Sequence, residues 1–100
     1  MGSSESYAVR LAPSVVEALL AIPRKDDARR VRNRLIMLQT APFFGVLYNP
    51  VYESARPPHE VLVTFAGHYG IYYTCDSDTH VVEVEYLEDT RMDPRHKFER

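Results

Sequence analysis

The sequence predicts a single α+β domain in which an antiparallel helix hairpin packs on an antiparallel sheet made mainly of a C-terminal three-stranded meander, with one further strand at the N-terminus. Three observations predict it. Apolar residues alternate over residues 7–11, recur at helical spacing between residues 15 and 38, and fill β-rich runs separated by short polar links after residue 60. A chain of 100 residues can bury one core without disulfides or metal. The expected organisation is a flexible tail over residues 1–6 and one domain over residues 7–98.

Tyr7, Val9 and Leu11 alternate with Ala8 and Arg10, the pattern of a short strand with one buried face. Ser14 can cap the helix that follows, with Glu17 three residues on to return the bond, and Pro23 stops it near Ile22. Asp26 or Asp27 opens helix two at the positive end of its dipole. Ala28, Val31, Leu35 and Leu38 then share one side while Arg30 and Arg34 lie on another, up to an end near Thr40. So short a link between two helices predicts the hairpin.

Residues 41–59 carry Pro42, Gly45, Pro50, Pro57 and Pro58, which exclude most regular structure. A connection of this length implies a short strand near Val46-Leu47-Tyr48 or a functional element. The meander follows as Glu60 to Phe65, Tyr69 to Cys75 and His80 to Leu87. In its last strand Val82, Val84 and Tyr86 are expected on one face and Glu83 and Glu85 on the other. The predicted helix–sheet interface comprises Val9, Leu19, Val31, Leu35, Val63, Ile71, Val82 and Val84.

Composition narrows the function. Apolar residues make up 45% and charged residues 26%, ordinary for a soluble globular protein. A net charge of -2 argues against bulk attraction to nucleic acid, although six of the twelve basic residues fall between Arg24 and Arg34. The lone Cys75 cannot form an internal disulfide, reads as a small buried residue, and fits a reducing cytoplasm. No apolar run approaches a membrane span or a signal segment. The start, Met1-Gly2-Ser3-Ser4-Glu5-Ser6, formally fits an acylation pattern but reads better as a floppy tail. His59, His68 and His80 lack metal-ligand spacing and read as exposed polar residues at strand ends and turns. No phosphate loop, dinucleotide fingerprint or serine-hydrolase elbow is present, and no cofactor is expected.

The order strand, helix hairpin, meander, together with Tyr7-x-Val9-x-Leu11, Leu38…Pro42…Gly45, Gly67-x-Tyr69-x-Ile71-x-Tyr73 and a Val-rich last strand leading to Arg91, resembles the RelE/ParE superfamily of bacterial toxin–antitoxin toxins over Tyr7 to Phe98. The resemblance implies a cytoplasmic toxin neutralised by an antitoxin. RelE-like members are mostly ribosome-dependent, metal-independent messenger-RNA endoribonucleases that inhibit translation; ParE-like members act on DNA gyrase. It also implies a site on the wet face of the meander and on the tail, with Arg91 and His96 as the catalytic candidates. Phe98 has no proton to give, whereas a histidine shuttles protons near neutrality. Arg30, Arg34, Arg56 and Lys97 are candidate contacts to RNA or a protein partner; the basic helix reads as a solvated face or as the docking surface for an acidic antitoxin segment ahead of an RNA contact, since the overall charge is wrong for a strong RNA binder.

Gly70 departs from the family pattern, which has an arginine there, and Val63 and Phe65 stand where basic residues are frequent. Two readings of Gly70 follow: a catalytic side chain is missing, or the glycine permits a bulge or a close approach. Two functions remain open: an endoribonuclease with a degenerate site, or a non-enzymatic binding module acting on gyrase or another protein.

Overall fold

The structure is a computed structural model that describes residues 6–49, 57 and 59–91. In order, the elements are β1 (Ala8–Leu11), α1 (Pro13–Leu20), α2 (Lys25–Met37), β2 (Val46–Leu47), β3 (Leu62–Ala66), β4 (Tyr69–Asp76) and β5 (Val81–Asp89). They form one five-stranded sheet in the order β1-β5-β4-β3-β2.

Strands β2 to β5 pair antiparallel, but β1 lies parallel to β5, with Ala8 opposite Val81 and Leu11 opposite Val84. The sheet is therefore mixed, where the sequence predicted an antiparallel one. The helix pair carries the chain from one sheet edge to the other, and successive hairpins bring β5 back beside β1. A pairing between ends so far apart in sequence leaves no local trace.

Both helices start earlier than the capping pattern implied. Pro13 occupies the first helical turn and Ala12 stands at the N-cap, with no side-chain bond from Ser14. Proline sets a helical φ and has no N–H to satisfy, so the helix begins one residue before the predicted cap. The Ala12 N–H donates instead to the Val84 carbonyl at 3.0 Å, which joins the helix start to the sheet. In α2 the N-cap is Arg24, and Asp26 and Asp27 lie inside the first turn, where their charge opposes the dipole's positive end. The helix ends at Met37, and residues 38–40 continue as a turn.

The main core lies between the helices and one face of the sheet. Val15, Val31, Leu35 and Leu38 meet Ala66, Tyr69, Ile71, Tyr73, Val82, Val84 and Leu87, with Val9 and Leu19 at its margin. Val63 is not among them. It belongs with Val61, Tyr72, Tyr48 and Tyr86 to a second cluster on the opposite face. Residues 61, 63 and 65 alternate with 62, 64 and 66 across the pleat, so Val63 cannot reach the helices.

Tyr86 is also on that opposite face, contrary to the simple alternation. Tyr72 is paired with Tyr86 and Tyr73 with Val84, leaving Glu85 as an extra residue on β5. Such a β-bulge reverses which face the following residues occupy. The short strand anticipated near Val46 is β2, and the loop before it is tied down by the Gly45 N–H, which donates to the Tyr73 hydroxyl at 2.9 Å. A Cβ at Gly45 would stand 2.6 Å from that hydroxyl and 2.7 Å from the Val63 carbonyl oxygen.

Leu38 is fully buried whereas Ile36 is exposed. Leu38→Ala is expected to cost about 2 to 5 kcal/mol in urea unfolding, and Ile36→Ala within about 0.5 kcal/mol. Equal losses would show that α2 is rotated from this placement.

Candidate functional site

The candidate site is the sheet face that the helices leave open. The pleat brings Arg10 of β1, Glu83 and Tyr86 of β5, Tyr72 and Thr74 of β4, and Val63 and Phe65 of β3 to this side. Tyr48, just after β2, sets its ring edge-on to Tyr72 with centroids 4.9 Å apart. Tyr72 itself is fully buried.

The bulge places the Glu85 carboxylate at the centre of a small polar group. His59 Nε2 lies 2.7 Å from Glu85 Oε1, and the Thr74 hydroxyl donates to Oε2 at 3.4 Å. His59 is itself exposed, as the sequence implied, with the Glu85 carboxylate as its neighbour. His80 differs from that expectation: it is half-buried, takes a left-handed φ of 57°, and packs against the Tyr7 ring at 4.9 Å. His68 is exposed, as the sequence implied.

Gly70 is explained by its neighbour on the same strand. A Cβ at Gly70 would stand 2.9 Å from the Tyr72 hydroxyl and 3.0 Å from a ring carbon. The Tyr72 ring folds over the glycine and fills the volume from which an arginine would have to project. Burial pushes the Tyr72 hydroxyl well above the ordinary phenol value, and Tyr48 and Glu88 add to the shift. It therefore keeps its proton at physiological pH and can donate a hydrogen bond but not serve as a base.

Arg91 is exposed at the end of β5, where Nε and Nη2 form a fork on Asp89 at 2.9 and 2.7 Å. The fork and the Arg91 N–H hold the Asp89 carboxyl down at about 2, and the same pairing raises the Arg91 guanidinium. Its partner Asp89 stands opposite Tyr69, a residue of the helix-side core, at the end of the sheet. His96, Lys97 and Arg56 lie outside the described residues, so the pairing of Arg91 with His96 stands as a sequence expectation.

The two helix arginines are separate from the open face. Arg30 pairs with Asp27 at 3.2 Å, and Arg34 reaches the Thr64 hydroxyl at 3.4 Å and lies over the Phe44 ring. Cys75 is half-buried with its thiol pushed up by burial and by Asp76, which makes it a poor nucleophile. Among the described residues no group of His, Cys, Asp and Glu could hold a metal.

Chemically, the open face offers a histidine–carboxylate contact and tyrosine hydroxyls. Among the described residues its guanidinium is Arg10, already 3.6 Å from Glu83. Developing negative charge on a phosphate would meet Glu83 and Glu85 with little cationic compensation. His59, Thr74 and Tyr72 were missed in the sequence because the bulge that joins the first two through Glu85 has no composition signal. Their alternation with buried residues was the available clue.

No family model and no curated protein sequence matches the chain. The fold is that of the RelE-type toxins. A chain of the archaeal RelE–RelB complex from Pyrococcus horikoshii OT3 superposes with a TM-score of 0.67 at 19% identity, over 88% of this chain and 99% of that one. Escherichia coli toxin RelE, solved as an arginine-to-alanine mutant in the free state, matches with a TM-score of 0.55 at 10% identity, over 84% of this chain and 83% of that one.

Two measurements check this geometry. Gly70→Ala is expected to destabilise the fold by about 1 to 3 kcal/mol, and the loss should shrink in a Tyr72→Ala background; additive losses would mean the ring does not occupy that space. Asp89, whose folded value is depressed, contributes stability above its ordinary value of 3.8 that is lost as the pH falls through about 2. Its carboxyl resonance should titrate near the lower value and move up in Arg91→Ala, and an unmoved midpoint would dissolve the fork.

Proposed function

We propose that this chain is the toxin half of a toxin–antitoxin pair, held by a cognate antitoxin and acting on its target by protein contact rather than by cutting RNA on its open sheet face. The observation that carries the reading is the RelE-type fold joined to an open face whose Arg10 is opposed by Glu83 and whose arginine position is filled by the Tyr72 ring. The archaeal structural neighbour is a RelE–RelB complex, which supports an antitoxin as partner. A gyrase-like protein target is the form that the ParE branch of the superfamily suggests. No helix among the described residues is long and apolar enough to cross a membrane, and the reading places the protein in the cytoplasm.

One observation favours a second reading, metal-independent cleavage of ribosome-bound message. His59 at 2.7 Å from Glu85 is the kind of pair that moves a proton between a ribose hydroxyl and a leaving oxygen. The cations for the phosphate would then have to come from the unpairing of Arg91 or from Arg56, His96 and Lys97.

The test has two arms. Co-expressed with the product of an adjacent small reading frame, the chain is expected to co-purify with it, and the co-expression is expected to relieve any growth arrest. Incubated with message-programmed ribosomes, the purified chain is expected to leave the RNA intact. Site-specific cutting that is lost in His59→Ala or Arg91→Ala would establish the ribonuclease reading instead.

A further inference from the structure

Between α2 and the turn that joins β3 to β4 lies a groove of about 340 Å³ lined by Arg30, Asn33, Arg34, Met37, Ala66 and Gly67. Its charge is unbalanced. Arg34 is half-buried, and among the described residues it meets no carboxylate, only the Thr64 hydroxyl at 3.4 Å and the Phe44 ring at 5.1 Å. Thr64 is 4% exposed, so this neutral partner is fixed in the sheet. Arg30 shares the single Asp27 carboxylate with Arg24, at 3.2 and 3.8 Å.

A guanidinium carries five N–H donors in a planar fork, and one long bond to a hydroxyl leaves most of them available. Partial removal from water strengthens whatever anion arrives. Gly67 takes a φ of +63°, which side chains rarely adopt, so this wall of the groove is bare backbone beside the Arg30 stem.

The lining also says which anion. Met37 and Ala66 contribute apolar surface, and the Phe44 ring under the Arg34 guanidinium is 57% exposed. A protein segment carrying a carboxylate beside apolar side chains would satisfy the fork and cover this ring together. A nucleic-acid strand would cover its phosphates but not the apolar lining, and its dense charge would meet a chain of net charge -2.

Building on the reading of this chain as a protein-bound toxin, we propose that the α2–β3 groove is a docking site for an acidic, apolar-flanked peptide segment of its partner, with Arg34 receiving the carboxylate. The site is distinct from the open sheet face. It requires no proton transfer, and its specificity comes from pairing one carboxylate with one unneutralised guanidinium.

The probe is a short fluorescent peptide of alternating leucine and glutamate, titrated against the full chain by anisotropy and by heteronuclear NMR. The Gly67 amide and the Arg34 Nε–H resonance are expected to move. Arg34→Glu is expected to weaken binding about tenfold or more while keeping a folded spectrum, and a leucine–lysine peptide, inert towards the parent chain, is expected to bind that variant. Unmoved resonances, or undiminished binding to Arg34→Glu, would overturn the proposal. A short oligouridylate that moves these signals while the leucine–glutamate peptide does not would overturn it in favour of RNA. If the reading-frame partner binds Arg34→Glu as well as the parent chain, the groove fails and the toxin–antitoxin reading stands. If no such partner exists, that reading fails and the peptide titration alone decides the groove.

Discussion

Glu85 interrupts the pairing of the two central strands, and most of what distinguishes this molecule follows from that interruption. With one extra residue on β5, Val82 and Val84 reach the helix side before the bulge and Leu87 reaches it afterwards. Tyr86 is turned out beside Tyr72. The carboxylate at the bulge can then meet Thr74 from β4 and His59 from the far end of the long connection. A regular ladder would have put Tyr86 under the helices, where a bulky hydroxyl-bearing ring needs both volume and a hydrogen-bond partner.

The second consequence concerns space on β4. Tyr72 and Tyr73 are consecutive, point to opposite faces, and are both fully buried. Tyr73 belongs to the main core and holds the Gly45 loop through its hydroxyl. Tyr72 has no helix above it and gains cover from Tyr48, Val61, Val63 and Tyr86 instead. Gly70 provides the room for its ring. The glycine that looks like a deletion in a one-dimensional comparison is a packing requirement in three dimensions.

Charge is organised by the same local geometry. The sequence shows a basic run and an acidic strand as blocks, but in space several of these cations already face a carboxylate: Arg29 meets Asp26, Arg30 and Arg24 share Asp27, Arg91 pairs with Asp89, and Arg10 of β1 reaches Glu83 of β5. Exposed pairs of this kind add little stability. Their effect is on recognition, because they remove cations from the pool able to bind phosphate and leave Arg34 as a half-buried exception among the described residues.

What the sequence determined by itself was whatever short-range periodicity encodes. The helices, the meander, the short β2 and most of the helix–sheet interface were legible because apolar spacing of 3.6 or 2 dictates which side of an element seeks cover. The RelE-type resemblance was legible for the same reason, as an order of such elements. The tertiary structure alone decided the parallel pairing of β1 with β5, the bulge at Glu85, the facing of Val63 and Tyr86, and the partners of His59 and Arg34. Each of these depends on residues distant in the chain competing for one volume or one hydrogen bond. Pairwise competition of that kind leaves no periodic mark on the sequence.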